Sequence, residues 1–511
     1  MAVQIIPLSC PKCGNASNVP EKELRFGYMF TCPYCSTTSV LIIDRQLYVP
    51  QAGEHVCTTC GRVAPSGARF CQCGQSLVRK CTNCLKEFPI DHNLCDYCGW
   101  SQDIDPLSEA AVPIKVQRAI QRLSDPDEYI KRYACQELGD IGPAASAAVL
   151  PLVEVLKSSE DKVTQENACD ALGKIGPAAV PVLVEVIKSS GDESTKETAC
   201  WPLGKIGPAA SAAVPAMVEF LKSSEDELTK HNVCWALGEI GPAASAAVPA
   251  MVEVLKSSED ENTKQVACQS LGIIGPAASA AVPAMVEFLK SSEDENTKQI
   301  ACCAFGEIGP AASAAVPAIV EVLESSKDKV TKEIACDALG KIGPDASAAV
   351  PALVKVISSR LDPEWRPNAR WALGKIGPSA VPALVNVLGL MDIQIERNVS
   401  WALGKIGAAA VPALVKVLKS SKDVYQKTDA CKALGEIGPA ASTAIPALVK
   451  AAESRLIWFV NKAACEALGK IGLAAIPALE SLSRSWLVIN KTKVKDYAKE
   501  EIDKIKSTKL A

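Results

Sequence analysis

From about residue 111 to residue 483, apolar positions recur at helical spacing in paired runs. The first run of each pair has the general form "AVPALVEVLKSS", standing in variant form at Ala349 to Ser359. Its valines and leucines fall on one helical face. The proline near its start is tolerated because first-turn N–H groups have no intrahelical partner. A polar stretch such as "SSEDEN" predicts a turn. A second run, "TKQIAC" followed by a residue that varies and then "ALGKIG", again places small and apolar residues on one face. The Gly-Pro after it predicts a stop.

The second runs align on Leu138, Leu172, Leu203, Leu237, Leu271, Phe305, Leu339, Leu373, Leu403, Leu434 and Leu468. Most intervals are 34 residues and three are 30 or 31. A fixed period of that size predicts a stack of helical pairs, since one pair cannot bury its apolar face alone. The shortened units lose residues between helices: "GPAAVPVL" at Gly176 lacks the "SAA" of "GPAASAAVPAM" at Gly207. A deletion in a connection is what such a pair tolerates. Pro202 and Pro367 fall in second helices and predict bends there.

The period and the ALG wording resemble the short HEAT-like repeats of the phycobilisome-lyase type, over roughly Ala111 to Ser483 and eleven units. The resemblance implies an all-α, right-handed α-solenoid whose second helices line the concave face. The tetratricopeptide repeat has a similar period, but its aromatic signature is absent.

Two registers of the second helix stand out. Three residues before the aligned Leu stand Cys135, Cys169, Cys200, Cys234, Cys268, Cys302, Cys336, Cys431 and Cys465, with Arg370 and Ser400 in the two other internal units. Free cysteine is among the most buried residue types, and thiols one helix pair apart would be about 10 Å apart, too far to share an ion. Packing is the expectation. One position on, the residue type changes freely: Trp201, Trp235, Trp371 and Trp401 in four units, and Asp170, Gln269, Cys303, Asp337, Lys432 and Glu466 in others. That variation predicts a half-exposed register. Its tryptophans are the candidate partner-binding residues, expected to form two flat aromatic couples, because Trp is favoured in binding hot spots. The competing reading is that each indole covers the neighbouring repeat.

Composition changes the picture only in cysteine. The 511 residues are 48% apolar and 5% aromatic, with a net charge of −4 that argues against a chain built to neutralise nucleic acid. Of 22 cysteines, twelve lie between Cys10 and Cys98. Cys10, Cys13, Cys32 and Cys35 form two C-x-x-C knuckles at zinc-ribbon spacing. Cys57, Cys60, Cys71 and Cys73 form a second set, with Cys71 and Cys73 one residue closer than usual, and Cys81, Cys84, Cys95 and Cys98 a third. The "GARFCQCG" wording resembles the double zinc ribbon. Three structural zinc ions are expected, supplying folding energy that so few apolar residues cannot. Residues 1–100 carry nine Lys/Arg and seven Asp/Glu, a weak basic balance without a base-reading helix.

The N-terminus shows no basic region followed by an apolar run, and no uninterrupted apolar run approaches the roughly 20 residues of a membrane helix. A cytoplasmic protein with reduced thiols is expected. His55, His92 and His231 are the three histidines and none precedes Glu, so the His-Glu pairs of the HEAT-like di-iron hydroxylases are missing. No P-loop, G-x-S-x-G or HExxH pattern occurs.

The expected organisation is a zinc ribbon at 1–50, a double zinc ribbon at 51–104, the repeats at 105–483 and a capping helix at 484–511. The leading functional expectation is a non-catalytic scaffold for other proteins, with the ribbons as a second docking site and with neither nucleic acid nor membrane as partner. Two alternatives stay open: an enzyme or lyase-like accessory holding a ligand in the groove, and nucleic-acid binding through the ribbons.

Overall fold

The structure, a computed structural model, describes residues 112–359, 366–390, 392–454, 458–484 and 491–508, together with short strands between residues 5 and 89. Two compact units divide the chain, Met1–Ala171 and Leu172–Ala511. The division falls inside the helix Lys162–Ile175.

In the first unit, strand Ile5–Ser9 pairs antiparallel with Ala16–Pro20, and Met29–Thr31 with Thr38–Leu41, which pairs in turn with Leu47–Tyr48. His55–Val56 pairs with Val63–Ala64, and Val78–Lys80 with Glu87–Pro89. Along the chain, Cys10 with Cys13, Cys32 with Cys35, Cys57 with Cys60 and Cys81 with Cys84 each stand between two paired strands. All twelve of these cysteines, Cys10 to Cys98, themselves lie outside the described residues.

The repeats are helical pairs, and the causes of each boundary are local. In the unit around Leu271, the first helix is Val248–Ser257 and the second Glu261–Ile274. Asp260 caps the second helix, accepting the Thr263 backbone N–H at 2.8 Å and the Thr263 hydroxyl at 2.8 Å. This satisfies one of the orphan donors of the first turn. The helix ends at Gly275, whose φ of 75° only glycine adopts freely. The same aspartate cap begins the second helices at Asp192, Asp226, Asp294 and Asp328.

What reads as a plain connection is itself ordered. "GPAASAA" forms a 3₁₀ helix, Gly275–Ala281, that leads into the next first helix. In the shortened unit it is Gly176–Ala179, four residues instead of seven. A 3₁₀ turn takes about 3.0 residues, so losing "SAA" removes one turn and leaves the following helix facing the same way.

These breaks also divide long apolar stretches. Four helical stretches, among them Glu261–Ser291 and Glu295–Ser325, are long and apolar enough by length and composition to cross a membrane, which the sequence reading did not anticipate. In these two, Gly275 and Gly309, at φ 75° and 70°, divide the stretch into separate helices. Over half of each most apolar window (56%) is buried in the protein.

Between repeats, contact is closest along the second helices. A Cβ placed on Gly272 would lie 2.6 Å from the Ala304 Cα, and one on Gly238 would lie 3.0 Å from the Ser270 Cα. The glycine of each LG thus lets two second helices approach. Ala267, Cys268, Leu271 and Ile274 are sealed beneath this contact. A polar staple repeats as well. The Ser258 hydroxyl donates to the Glu227 carboxylate of the preceding repeat and accepts the Asp260 N–H at 3.2 Å. The Ser326 hydroxyl does the same with Glu295 at 2.8 Å and Asp328 at 3.0 Å.

Pro202 sits within the helix Glu193–Ile206, which continues through it. Pro367 is the second residue of Arg366–Ile376, in a first turn where proline costs little. The expectation of a bend at Pro367 therefore loses its basis. At the C-terminus, Lys491–Thr508 packs on Ile476–Arg484 and Trp458–Ile471, burying Val494 and Ala498.

Candidate partner-binding face

The cysteine register and the tryptophan register are adjacent in sequence but face different environments. Cys135, Cys169, Cys200, Cys234, Cys268, Cys302, Cys336, Cys431 and Cys465 are all buried. Burial pushes the Cys234, Cys302, Cys431 and Cys465 thiols up to about 12, and those of Cys200, Cys268 and Cys336 further still. Such thiols are neutral and inert, because the thiolate is the nucleophile and the ligand. They pack as small apolar groups. Among the described cysteines only Cys303, one register on, is exposed. Among the described residues no group of His, Cys, Asp and Glu could hold a metal ion.

For zinc, the donor chemistry of the N-terminal cysteines is what bears on fit. Soft thiolates in three sets of four suit a tetrahedral site. Each set includes at least one C-x-x-C pair that falls between paired strands.

The four tryptophans divide. Trp201 and Trp235 meet with ring centroids 5.3 Å apart and planes tilted by 43°, so the couple is a tilted pair instead of a flat patch. Trp201 is 36% exposed. Trp371 and Trp401 form no ring pair among the described residues; each lies over the glycine of the preceding repeat. A Cβ on Gly340 would meet the Trp371 ring at 2.1 Å, and one on Gly374 would lie 3.8 Å from the Trp401 ring. Trp235 covers Gly204 in the same way at 3.2 Å. The indoles of Trp235, Trp371 and Trp401 thus cover a neighbour, as the competing reading expects, and all four keep an open edge.

Cations gather on the second couple. The Arg370 guanidinium is 4.8 Å from the Trp401 ring centre, Lys405 Nζ is 5.3 Å from it, and Lys375 Nζ is 5.7 Å from the Trp371 ring. Arg370 occupies a cysteine position, and its Nη1 donates to Asn398 Oδ1 at 3.2 Å. The sequence reading missed this cluster, although W-A-L-G-K sets Lys four residues after Trp, one helical turn on.

Open grooves lie at the starts of second helices. One, of about 530 Å³, is lined by Glu227, Leu228, His231 and Asp260 among others, and gives His231 a polar surface setting. The other, of about 300 Å³, runs past Ile393, Tyr425, Phe459 and Asp429. There the Tyr425 and Phe459 rings stack at 5.6 Å. The Asp429 carboxylate accepts the Gly389 N–H at 2.9 Å, and burial pushes its carboxyl up to about 6. The second groove also escaped the sequence reading. Its signal is aromatic residues at helix starts where other repeats have Asn262 and Asn296.

A sealed small-residue core, repeated at a fixed period, with variable residues on the second-helix face, defines an α-solenoid whose exposed face is free to diversify. Comparison with known families gives the same class. The HEAT repeats family matches seven overlapping stretches, 116–204, 149–230, 180–272, 214–302, 282–366, 350–428 and 411–488, and the chain belongs to that family. The double zinc ribbon family matches residues 57–99. No curated protein matches the chain.

Similar solved structures include one on a phosphorylation switch that controls the interaction between cadherin and beta-catenin, at 15% identity and TM-score 0.36. It covers 76% of this chain and 100% of that one. The karyopherin Kap121p bound to the extreme C-terminus of the phosphatase Cdc14p has 13% identity and TM-score 0.38, covering 77% of this chain and 50% of that one. A structure of Kap95p with RanGDP has 13% identity and TM-score 0.38, covering 78% and 61%.

Proposed function

We propose that this protein is a non-catalytic scaffold that binds other proteins along the second-helix face of its repeats, with a zinc-holding N-terminal region as a second docking site. The observation that supports this most is the division of labour within each second helix. The Cys and Leu registers are consumed by packing, while the neighbouring register keeps large apolar edges open to solvent at Trp201, Trp235, Trp371 and Trp401. Open aromatic edges on a rigid helical face suit anchor residues. Three zinc ions, held by the three sets of four cysteines, and a reducing cytoplasmic setting belong to the same reading.

The test is to recover partners with the full-length protein and compare variants. Trp201→Ala is the sharpest, because its ring is the most exposed of the four and covers no glycine, so the close approach of the second helices at Gly173 stays in place. Recovery by Trp201→Ala and Trp235→Ala should fall more than tenfold, while the melting temperature falls only for Trp235→Ala. Unchanged recovery by both, in proteins that still fold, sinks the reading of these tryptophans as anchors.

A further inference from the structure

We infer that the face around Trp371 and Trp401 docks an acidic, extended segment of a partner protein; this rests on the protein-binding reading and specifies its chemistry.

Three cations converge on two indoles over adjacent repeats. Lys375 is on Trp371, and Arg370 and Lys405 are both on Trp401, within 4.8–5.7 Å. Lys375 and Lys405 are exposed, and among the described residues neither has a carboxylate in ion-pair contact. Four acids on nearby second helices are committed elsewhere. Glu307 holds Lys341 at 2.5 Å, Glu436 holds Lys470 at 2.6 Å and Glu396 holds Lys432 at 2.6 Å. Asp337 accepts from Asn368 at 3.0 Å. An ammonium lying on a ring is desolvated on one side without compensation from an anion, so a carboxylate arriving from solvent gains more there than at a freely hydrated lysine.

The feature is concentrated here. The other couple has Lys205 after Trp201 but Glu239 after Trp235, and its equivalents of Arg370 are Cys200 and Cys234, so it carries one cation and one acid where this couple carries three cations.

Spacing narrows the occupant. Equivalent positions on neighbouring second helices recur at about 8–10 Å, the ordinary helix packing distance. A polyproline II segment returns to the same face every three residues, about 9.3 Å along its axis. Carboxylates at i and i+3 of such a segment would therefore meet Lys375 and Lys405 in turn. Nucleic acid is the weaker fit, because three cations on a chain of net charge −4 neutralise few phosphates.

The experiment uses the full-length protein and a fluorescein-labelled peptide with glutamate at every third position and proline between, read by anisotropy. A peptide of the same composition with its glutamates in one block, and an oligouridine, are the competitors. The spaced peptide should bind, and binding should weaken severalfold between about 50 and 200 mM salt as surface charges are screened. The Lys375→Gln/Lys405→Gln double variant should lose at least tenfold in affinity with an unchanged melting curve, since both side chains are exposed. Lys222→Gln, an exposed lysine on a first helix, should bind the peptide normally.

The inference is overturned if the spaced peptide fails to bind, if the double variant binds it as well as the parent, or if the blocked peptide or the oligouridine competes better. Failure of the peptide while partners are still recovered through Trp201 and Trp235 would reject this chemistry and leave the scaffold reading standing. Loss of both would reject the two together.

Discussion

The same residue type is put to opposite uses in the two regions of this chain. Before residue 100, twelve cysteines stand mostly in C-x-x-C pairs, the spacing at which thiolates can share a metal ion. After residue 130, nine cysteines recur once per repeat and all are buried, which holds thiols such as Cys234 neutral. A pair two residues apart can share an ion; a residue repeated every helical pair can only pack. Spacing, not residue type, separates ligand from filler.

The largest expected effect tests the first half of that contrast. Elemental analysis should find three zinc ions per chain, and a strong chelator should abolish the N-terminal hairpins while leaving the helical circular dichroism of the repeats. One ion or none would remove the ligand reading. Two would point to the set containing the close-spaced Cys71 and Cys73.

Thiol labelling sharpens the contrast at the level of single residues. At pH 8 a thiol with a pKa of about 12 is thiolate to roughly one part in 10⁴, whereas an ordinary thiol is ionised to tens of per cent. In the folded, metal-stripped protein, the N-terminal thiols should therefore alkylate quickly, Cys303 more slowly, and the buried nine only on unfolding. Rapid labelling of Cys234 or Cys431 in folded protein would break the packing account.

A smaller effect is expected from Cys268→Ala and Cys234→Ala. Each removes one buried sulfur and should cost on the order of 1 kcal/mol, with partner binding intact. Abolished binding in a protein that melts normally would return these thiols to the functional column.

The smallest effect extends the same burial physics to a carboxylate. Asp429 has its folded pKa raised to about 6 by burial, above the usual carboxylate value, so the folded state holds the proton more tightly than the unfolded one. Its ionisation destabilises the fold progressively as pH rises from about 4 to 6. Asp429→Asn should raise the melting temperature at pH 7 by a degree or two, with the gain shrinking towards pH 4. A loss at pH 7 would mean that the bond to Gly389 outweighs the burial of the charge.

Much of this protein is legible from residues alone. The period, the stop at Gly275 and the burial of Cys268 follow from local rules, because each is decided within one helix pair by spacing and backbone conformation; the cap at Asp260 obeys such a rule too, within a stretch read only as a turn. The absence of "SAA" at Gly176 was readable as harmless, though only the 3₁₀ geometry explains why three residues is the tolerated number. The surface was not legible in the same way. Whether Trp371 stacks on a neighbouring indole or settles over Gly340 depends on how far one repeat rotates against the next, and no single unit encodes that. Nor does a linear pattern place the guanidinium of Arg370 on the ring of Trp401, a residue one repeat away. Sequence determined the repeat, its boundaries and its core, since these interactions close within a unit; tertiary structure decided which side chains meet across units, because only stacking brings them within reach.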